Sequence, residues 1–123
     1  MKALVVDDSR VMRQIVIRAL RQAGQGGHDI AEAADGRHAL EVVRSHAPDL
    51  VLSDWNMPEM SGIDLLDTLR AAGNDVPFGF VTSEGSEDMR ARAAASGAAF
   101  LIAKPFDADS LATAVAGVPG GAR

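Results

Sequence analysis

The feature of the sequence that most limits its fold is an alternation of short apolar runs with longer segments of helical periodicity. This alternation is typical of repeated β–α units, whose parallel strands form one sheet with helices on both faces. The predicted strands are Ala3–Val6, Asp29–Ala33, Leu50–Ser53, Pro77–Val81 and Ala99–Ala103. The predicted helices are Ser9–Ala23, Gly36–Ser45, Gly62–Ala72, Glu84–Ser96 and Asp107–Ala116. We therefore expect an α/β fold built on a five-stranded parallel sheet.

The apolar patterns also predict where some elements lie. The first, third and fifth strands are continuous apolar runs, which is typical of strands buried in the centre of a sheet, whereas the second alternates more and is expected at an edge. The first helix carries an apolar stripe that is predicted to face the core. Its members are Val11, Met12, Ile15, Val16, Ala19, Leu20 and Ala23.

The composition fits a single globular domain. The 123 residues are 47% hydrophobic and 24% charged, so enough apolar area exists to form a core. The formal net charge of -5 argues against direct nucleic-acid binding, because phosphates require a surplus of Lys and Arg. The absence of cysteine excludes thiolate chemistry and is compatible with the cytoplasm, and no apolar stretch is long enough for membrane insertion. We expect residues 1–117 to form the domain, residues 118–123 a flexible tail, and no effector domain.

Polar residues follow four of the predicted strands, and ligands of open parallel sheets bind at the carboxyl ends of the strands. These residues are Asp7, Asp8, Asp54, Thr82, Ser83 and Lys104. Clustered carboxylates favour a hard cation such as Mg²⁺, which binds through a few carboxylates together with a phosphate. A carboxylate can also be the nucleophile that becomes an aspartyl-phosphate. Lys104 could then neutralise phosphoryl oxygens, and Thr82 could donate a hydrogen bond to one of them.

Four segments stand at the ends of predicted strands: Val5-Val6-Asp7-Asp8, Asp54-Trp55-Asn56-Met57-Pro58, Val81-Thr82-Ser83 and Lys104-Pro105-Phe106. Together they resemble the signature set of two-component response-regulator receiver domains, especially the chemotaxis type. The resemblance implies a doubly wound, flavodoxin-like (βα)5 fold with strand order 2-1-3-4-5. It also implies a stand-alone response regulator that receives a phosphoryl group from a histidine kinase or a histidine phosphotransfer protein. A downstream target would bind the face formed by helix four, strand five and helix five.

The resemblance assigns roles to individual residues. Asp54 would be the phospho-acceptor, with Mg²⁺ bound by Asp8 and Asp54 directly, by Asp7 through water, and by the Asn56 backbone carbonyl. Lys104 would pair with the phosphoryl group, and the Lys104-Pro105 peptide would be cis. The domain would not be an enzyme in the usual sense, although it would catalyse its own Mg²⁺-dependent phosphorylation and dephosphorylation.

The resemblance also implies a conformational switch in which Thr82, with Ser83 beside it, moves towards the phosphoryl group. Asn56 and Glu84 occupy the two positions that tune dephosphorylation in this family. The family usually has an aromatic residue three positions before the lysine, where this chain has Leu101. Phe100 precedes it and should point to the opposite face unless the strand is bulged.

Other interpretations are compatible with parts of this pattern. Asp7 or Ser9 could simply cap the first helix. A phosphorelay shuttle, a phosphate sink or an unphosphorylated interaction module would carry similar motifs. A small aspartyl-phosphate phosphohydrolase is less well matched, because such enzymes usually have an acid two positions after the nucleophile, where this chain has Asn56. The arginines of the first helix, including Arg13 and Arg18, form either a solvated face or a docking surface for the phosphodonor.

Overall fold

The computed structural model describes residues 2–23 and 29–117, which form five strands and five helices in alternation. In chain order the elements are β1 (Lys2–Val6), α1 (Arg10–Ala23), β2 (Asp29–Ala33), α2 (Gly36–His46), β3 (Leu50–Ser53), α3 (Gly62–Ala71), β4 (Phe78–Thr82), α4 (Glu87–Ala95), β5 (Phe100–Ala103) and α5 (Ala108–Ala116). The predicted tail, residues 118–123, lies outside the described residues. No helix in the described ranges is long and apolar enough to cross a membrane.

The strands form one parallel sheet in the order β2-β1-β3-β4-β5, so the predicted fold class and strand order are confirmed. The edge position predicted for the second strand is also confirmed. The central position predicted for the fifth strand is wrong, because β5 is the other edge strand. Its apolar run has a different cause: α4 and α5 both pack against β5, so Leu101 is buried and Phe100 and Ile102 are partly buried, although the strand lies at the edge of the sheet.

The core has two layers, one on each face of the sheet. One layer packs α2, α3 and α4 against the sheet and contains the large buried side chains Leu66, Phe78 and Phe80. The other lies under α1 and α5 and is centred on Leu20 and Leu111. α3 contributes five buried residues to its layer, whereas in α4, which the structure describes in full, Ala93 is the single buried residue. α4 is therefore the more loosely seated of these two helices.

The apolar stripe predicted for α1 is correct only in part. Val16, Ala19 and Leu20 are buried as predicted, but Val11 is 69% exposed and Ile15 is 44% exposed. Ile17, which lies outside the stripe, is buried as well. The contact of α1 with the sheet and α5 therefore covers an arc on the Ile17 side of the stripe. Met12 is half-buried, and the side chain of Ala23 lies outside the described part of the chain.

The start predicted for α4 at Glu84 is wrong, because the helix begins at Glu87. Ser86 has extended backbone angles, and its hydroxyl accepts a hydrogen bond of 3.2 Å from the Met89 amide, as expected for a helix N-cap. Residues 84–86 therefore belong to the loop that follows β4. The other predicted boundaries differ from the observed ones by at most one residue.

Candidate functional site

The carboxyl ends of β1 and β3 bring three aspartates together. Asp7, Asp8 and Asp54 each offer a carboxylate oxygen, and these three oxygens lie within 4.8 Å of one another. Asp7 is buried, Asp54 is half-buried and Asp8 is exposed. The cluster therefore opens to solvent on the side of Asp8 and is closed on the side of Asp7.

Asp7 is held at both carboxylate oxygens. Its Oδ1 accepts a hydrogen bond of 2.9 Å from the Ser9 amide, and its Oδ2 accepts one of 3.1 Å from Lys104 Nζ. Ser9 is the residue that caps α1, since its hydroxyl accepts a 3.3 Å hydrogen bond from the Met12 amide. Ser9 is therefore the helix cap that the sequence left open between Asp7 and Ser9. The Asp7 carboxylate instead pairs with Lys104, which follows β5 at the same edge of the sheet.

Asp54 lies between an amide donor and the lysine ammonium. Its Oδ1 accepts a hydrogen bond of 2.8 Å from the Trp55 amide, and its Oδ2 is 3.8 Å from Lys104 Nζ. Burial raises the pKa of the Asp54 carboxyl above its ordinary value, while Lys104 and the Trp55 amide lower it and the charge of Asp7 raises it further. The positive charge beside Asp54 is therefore too small to offset its desolvation.

The charge and chemistry of this cluster fit a divalent cation. Three carboxylates face one ammonium, that of Lys104, so the group as a whole keeps a negative charge when ionised. The candidate ligands are all oxygen atoms, the type that Mg²⁺ prefers.

The loop after Asp54 is packed against the start of α3, a contact that the sequence interpretation missed. The Gly62 amide donates a 2.8 Å hydrogen bond to the Trp55 carbonyl, and the Ser53 hydroxyl donates one of 2.7 Å to the Asp54 carbonyl. An ideal Cβ on Gly62 would lie only 2.1 Å from that same Asp54 oxygen. A glycine as the first residue of a helix is the sequence signal that could have indicated this close approach.

The remaining polar residues lie around the cluster. Thr82 is the last residue of β4 rather than the first after it; it is fully buried, and its hydroxyl accepts a 3.4 Å hydrogen bond from the Glu84 amide. Ser83 and Glu84 are exposed in the following loop, and Asn56 is exposed in the loop after Asp54. The Lys104-Pro105 peptide bond, directly after β5, is cis.

Leu101 and Phe100 lie on opposite faces of the sheet. Leu101 belongs to the layer under α4, and Phe100 packs with the layer under α1 and α5. The pairing of β4 with β5 runs without a bulge from Gly79 opposite Phe100 to Thr82 opposite Ala103. Leu101 therefore shares a face with Thr82, and Phe100 does not.

The outer edge of β5 is joined to α4 by a side chain. Arg90 Nη1 donates a hydrogen bond of 3.0 Å to the Leu101 carbonyl. Because β5 is an edge strand, this guanidinium serves a carbonyl that has no neighbouring strand to bind. Arg90 thus connects the start of α4 to the residue that shares a face with Thr82.

Comparison with known proteins identifies the family. Residues 3–116 match the profile described as Response regulator receiver domain. Over 113 residues, 90% of each chain, the protein is 42% identical to the chemotaxis protein CheY of Pseudomonas aeruginosa. It is 41% identical to the chemotaxis protein CheY-3 of Vibrio cholerae, covering 90% of this chain and 85% of that one.

Solved structures agree with this assignment. Vibrio cholerae CheY4 superposes with a TM-score of 0.85 at 34% identity, covering 95% of this chain and 97% of that one. The receiver domain of the response regulator NarL from Mycobacterium tuberculosis gives a TM-score of 0.84 at 29% identity, covering 93% and 91% of the two chains. The profile match spans the acidic cluster, Thr82 and Lys104. The chain therefore belongs to the response regulator receiver domains, the family that serves two-component signal transduction.

Proposed function

We propose that the protein is a chemotaxis-type response regulator that accepts a phosphoryl group on Asp54 and passes the signal on by binding a target protein. The observation that carries this proposal is the half-buried Asp54 carboxylate, set in an acidic cluster with Lys104 Nζ 3.8 Å from its Oδ2. A histidine kinase or a histidine phosphotransfer protein would supply the phosphoryl group. The chemotaxis role is supported by the names of the CheY relatives.

The metal required for this chemistry would be Mg²⁺. Asp8 and Asp54 would bind it through their carboxylates, Asp7 through a water molecule, and Asn56 through its backbone carbonyl. When bound, the ion would neutralise charge on the phosphoryl oxygens. The opening of the cluster on the side of the exposed Asp8 supports this assignment, because Mg²⁺ keeps several of its waters.

The transfer itself would be a displacement at phosphorus. An Asp54 carboxylate oxygen attacks, a phosphorus–oxygen bond forms, and the phosphorus–nitrogen bond of the donor phosphohistidine breaks with its electron pair leaving on the imidazole nitrogen. Lys104 is already beside Asp54 and would pair with a phosphoryl oxygen. Thr82 and Ser83 would offer hydroxyl donors from the end of β4.

Loss of the phosphoryl group would follow from attack by water on the same phosphorus, which releases phosphate and restores the Asp54 carboxylate. We assign Asn56 and Glu84 the role of tuning the access of that water. Their support is positional: both are exposed, and they lie in the loops that follow Asp54 and Thr82.

The output would run from Thr82 to the face formed by α4, β5 and α5. Thr82 gives up its hydrogen bond from the Glu84 amide when it turns to the phosphoryl group, and Leu101 on the same face of the sheet repacks. Arg90, bonded to the Leu101 carbonyl, would transmit this repacking to α4. The route replaces the rotation of an aromatic ring with a smaller change in aliphatic packing.

Acetyl phosphate with Mg²⁺ provides the direct test. Intact-mass spectrometry should detect one phosphoryl adduct on the wild type and on the Asp64→Asn control, which removes an exposed carboxylate of α3. Asp54→Asn or added EDTA should abolish the adduct. An adduct that persists on Asp54→Asn would refute the assignment of the acceptor, and multiple turnover of a phosphomonoester would favour a phosphohydrolase instead. Transfer from candidate histidine kinases then identifies the donor, and beryllofluoride-loaded protein captures the target.

A further inference from the structure

An arginine on α1 contacts the backbone that joins the two N-terminal aspartates of the acidic cluster. Arg13 Nη1 donates a hydrogen bond of 2.7 Å to the backbone carbonyl of Asp7. This carbonyl belongs to the peptide unit between Asp7 and Asp8, so its direction determines where Asp8 begins. The Arg13 side chain is only 15% exposed. Arg13 therefore supports the site and is not available on the open face of α1.

Glu32, on the edge strand β2, holds Arg13 in this position. Arg13 Nε lies 3.0 Å from Glu32 Oε1, and Gln14 Nε2 donates to the same oxygen at 3.4 Å. The guanidinium thus uses one N–H for Glu32 and another for the Asp7 carbonyl, an arrangement that the single nitrogen of a lysine does not reproduce. Because Glu32 neutralises Arg13, the pair supplies a hydrogen-bond donor without cancelling the negative charge of the acidic cluster.

Asp8 depends on this backbone contact more than the other two aspartates do. The Asp7 carboxylate is held by Lys104 at 3.1 Å, and the Asp54 carboxylate is held by the Trp55 amide at 2.8 Å. Within the described residues, the exposed Asp8 carboxylate has no hydrogen bond of its own. The main chain therefore sets the position from which the Asp8 side chain projects.

We propose that Arg13, held by Glu32, is a positioning residue that orients the Asp7–Asp8 peptide and so directs the Asp8 carboxylate to the magnesium position. The inference rests on the proposed function, which requires the metal. Residues that hydrogen-bond to metal ligands and orient them typically raise the metal affinity by about 10-fold to 100-fold. Because Arg13 acts through the backbone, we expect the lower end of that range, about tenfold.

Isothermal titration of the full chain with MgCl₂, without any phosphodonor, tests this proposal. Arg13→Gln should raise the Kd for Mg²⁺ about tenfold, and Arg13→Lys should recover only part of that loss. Glu32→Ala should raise the Kd less. The double variant should bind no more weakly than Arg13→Gln alone, because Glu32 acts through Arg13.

Arg70 provides a matched control. It also donates to backbone carbonyls, those of Asn74 and Val76 at 2.9 Å and that of Gly97 at 3.0 Å. It lies at the end of α3, beside the segment that leads into β4, and so away from the acidic cluster. Arg70→Gln should lower the free energy of unfolding and leave the Kd for Mg²⁺ unchanged, which separates positioning from general destabilisation.

A second readout does not depend on the metal. Amide hydrogen exchange at Ser9, whose amide donates to Asp7 Oδ1, should be faster in metal-free Arg13→Gln than in the metal-free wild type. Mg²⁺ binding by Arg13→Gln within about twofold of the wild type, or additive effects in the double variant, would overturn the proposal. A wild type that binds no Mg²⁺ would refute the proposed function and this inference together. If the wild type binds Mg²⁺ and Arg13→Gln binds it with the same Kd, the inference about Arg13 is wrong and the proposed function stands.

Discussion

Replacing Gly62 with alanine tests how closely the start of α3 is fitted against the loop that follows Asp54. The added Cβ would lie 2.1 Å from the backbone oxygen of Asp54, 2.9 Å from Phe80 Cε1 and 3.0 Å from Ser53 Oγ. The first of these atoms belongs to the backbone and also accepts a hydrogen bond from the Ser53 hydroxyl, so it cannot rotate away. The helix and the loop must therefore separate by about 1 Å to accommodate the methyl group.

The magnitude follows from two opposing effects. Overpacking of this kind costs about 1–3 kcal/mol, and a clash with backbone belongs at the upper end of that range. Replacing a helical glycine with alanine stabilises the helix by at most about 1 kcal/mol, because alanine has the higher helix propensity. We therefore expect Gly62→Ala to lower the free energy of unfolding by about 2 kcal/mol, which a domain of ordinary stability survives. Displacing Asp54 by about 1 Å should also slow its phosphorylation by on the order of 100-fold.

Urea denaturation and the rate of acetyl phosphate labelling measure these two effects. Gly73→Ala is the matched control, because Gly73 has a φ of 79° and a Cβ there would meet nothing within 4 Å. The control should lose about 1 kcal/mol through backbone strain and keep the wild-type labelling rate. If Gly62→Ala has wild-type stability and labels at the wild-type rate, the contact with the Asp54 carbonyl does not constrain the site.

Three further predictions concern stability. Ala47→Gly should stabilise the fold by about 0.5 kcal/mol, because this helix C-cap has a φ of 46° that glycine adopts without strain. Ala91→Gly, inside α4, should destabilise the fold by about the same amount. If urea denaturation shows that both variants change stability in the same direction, this reasoning is wrong. Polar interactions with Ser96 and with Arg92, whose Nη2 is 2.7 Å from Asp67 Oδ2, lower the pKa of Asp67. The stability that they contribute should be complete above the ordinary pKa and should disappear as pH falls through the lowered one, so the difference in stability between wild type and Asp67→Asn should shrink in acid. Leu111→Ala should cost about 2–5 kcal/mol, since that side chain is fully buried, and a loss below 1 kcal/mol would show that α5 collapses into the space.

Much of the fold and of the acidic cluster could be predicted because strand ends are marked in the sequence. Each apolar run stops at a polar residue, and parallel strands bring their carboxyl ends to one edge, so Asp7, Asp54 and Lys104 could be placed together before any coordinates. The strand order came from the resemblance to receiver domains. The apolar run of β5 was misinterpreted because helices on both faces produce the same pattern in an edge strand as in a central one.

The remaining errors have a common physical cause: a one-dimensional pattern does not say which neighbour an element meets. Periodicity identified an apolar stripe on α1, yet the arc that packs is determined by α5 and the sheet, which leaves Val11 and Ile15 exposed. The start of α4 depends on which polar residue caps the helix, and the structure shows that this residue is Ser86. Arg13 was indistinguishable from Arg18 in the sequence, because only the folded chain brings Glu32 and the Asp7 carbonyl to it.

The loose seating of α4 has a consequence for the energy that signalling requires. Elements with little buried apolar surface open at free energies far below that of global unfolding. Ala93 is the one buried residue among those described in α4, whereas α3 has five. The amide hydrogens of α4 should therefore exchange with solvent faster than those of α3. Reversing a two-state population from 1:99 to 99:1 takes about 5.5 kcal/mol. If Asp54 is phosphorylated as we propose, a helix that moves at little free-energy cost would let a few new hydrogen bonds at that carboxylate supply the difference while the sheet keeps its structure.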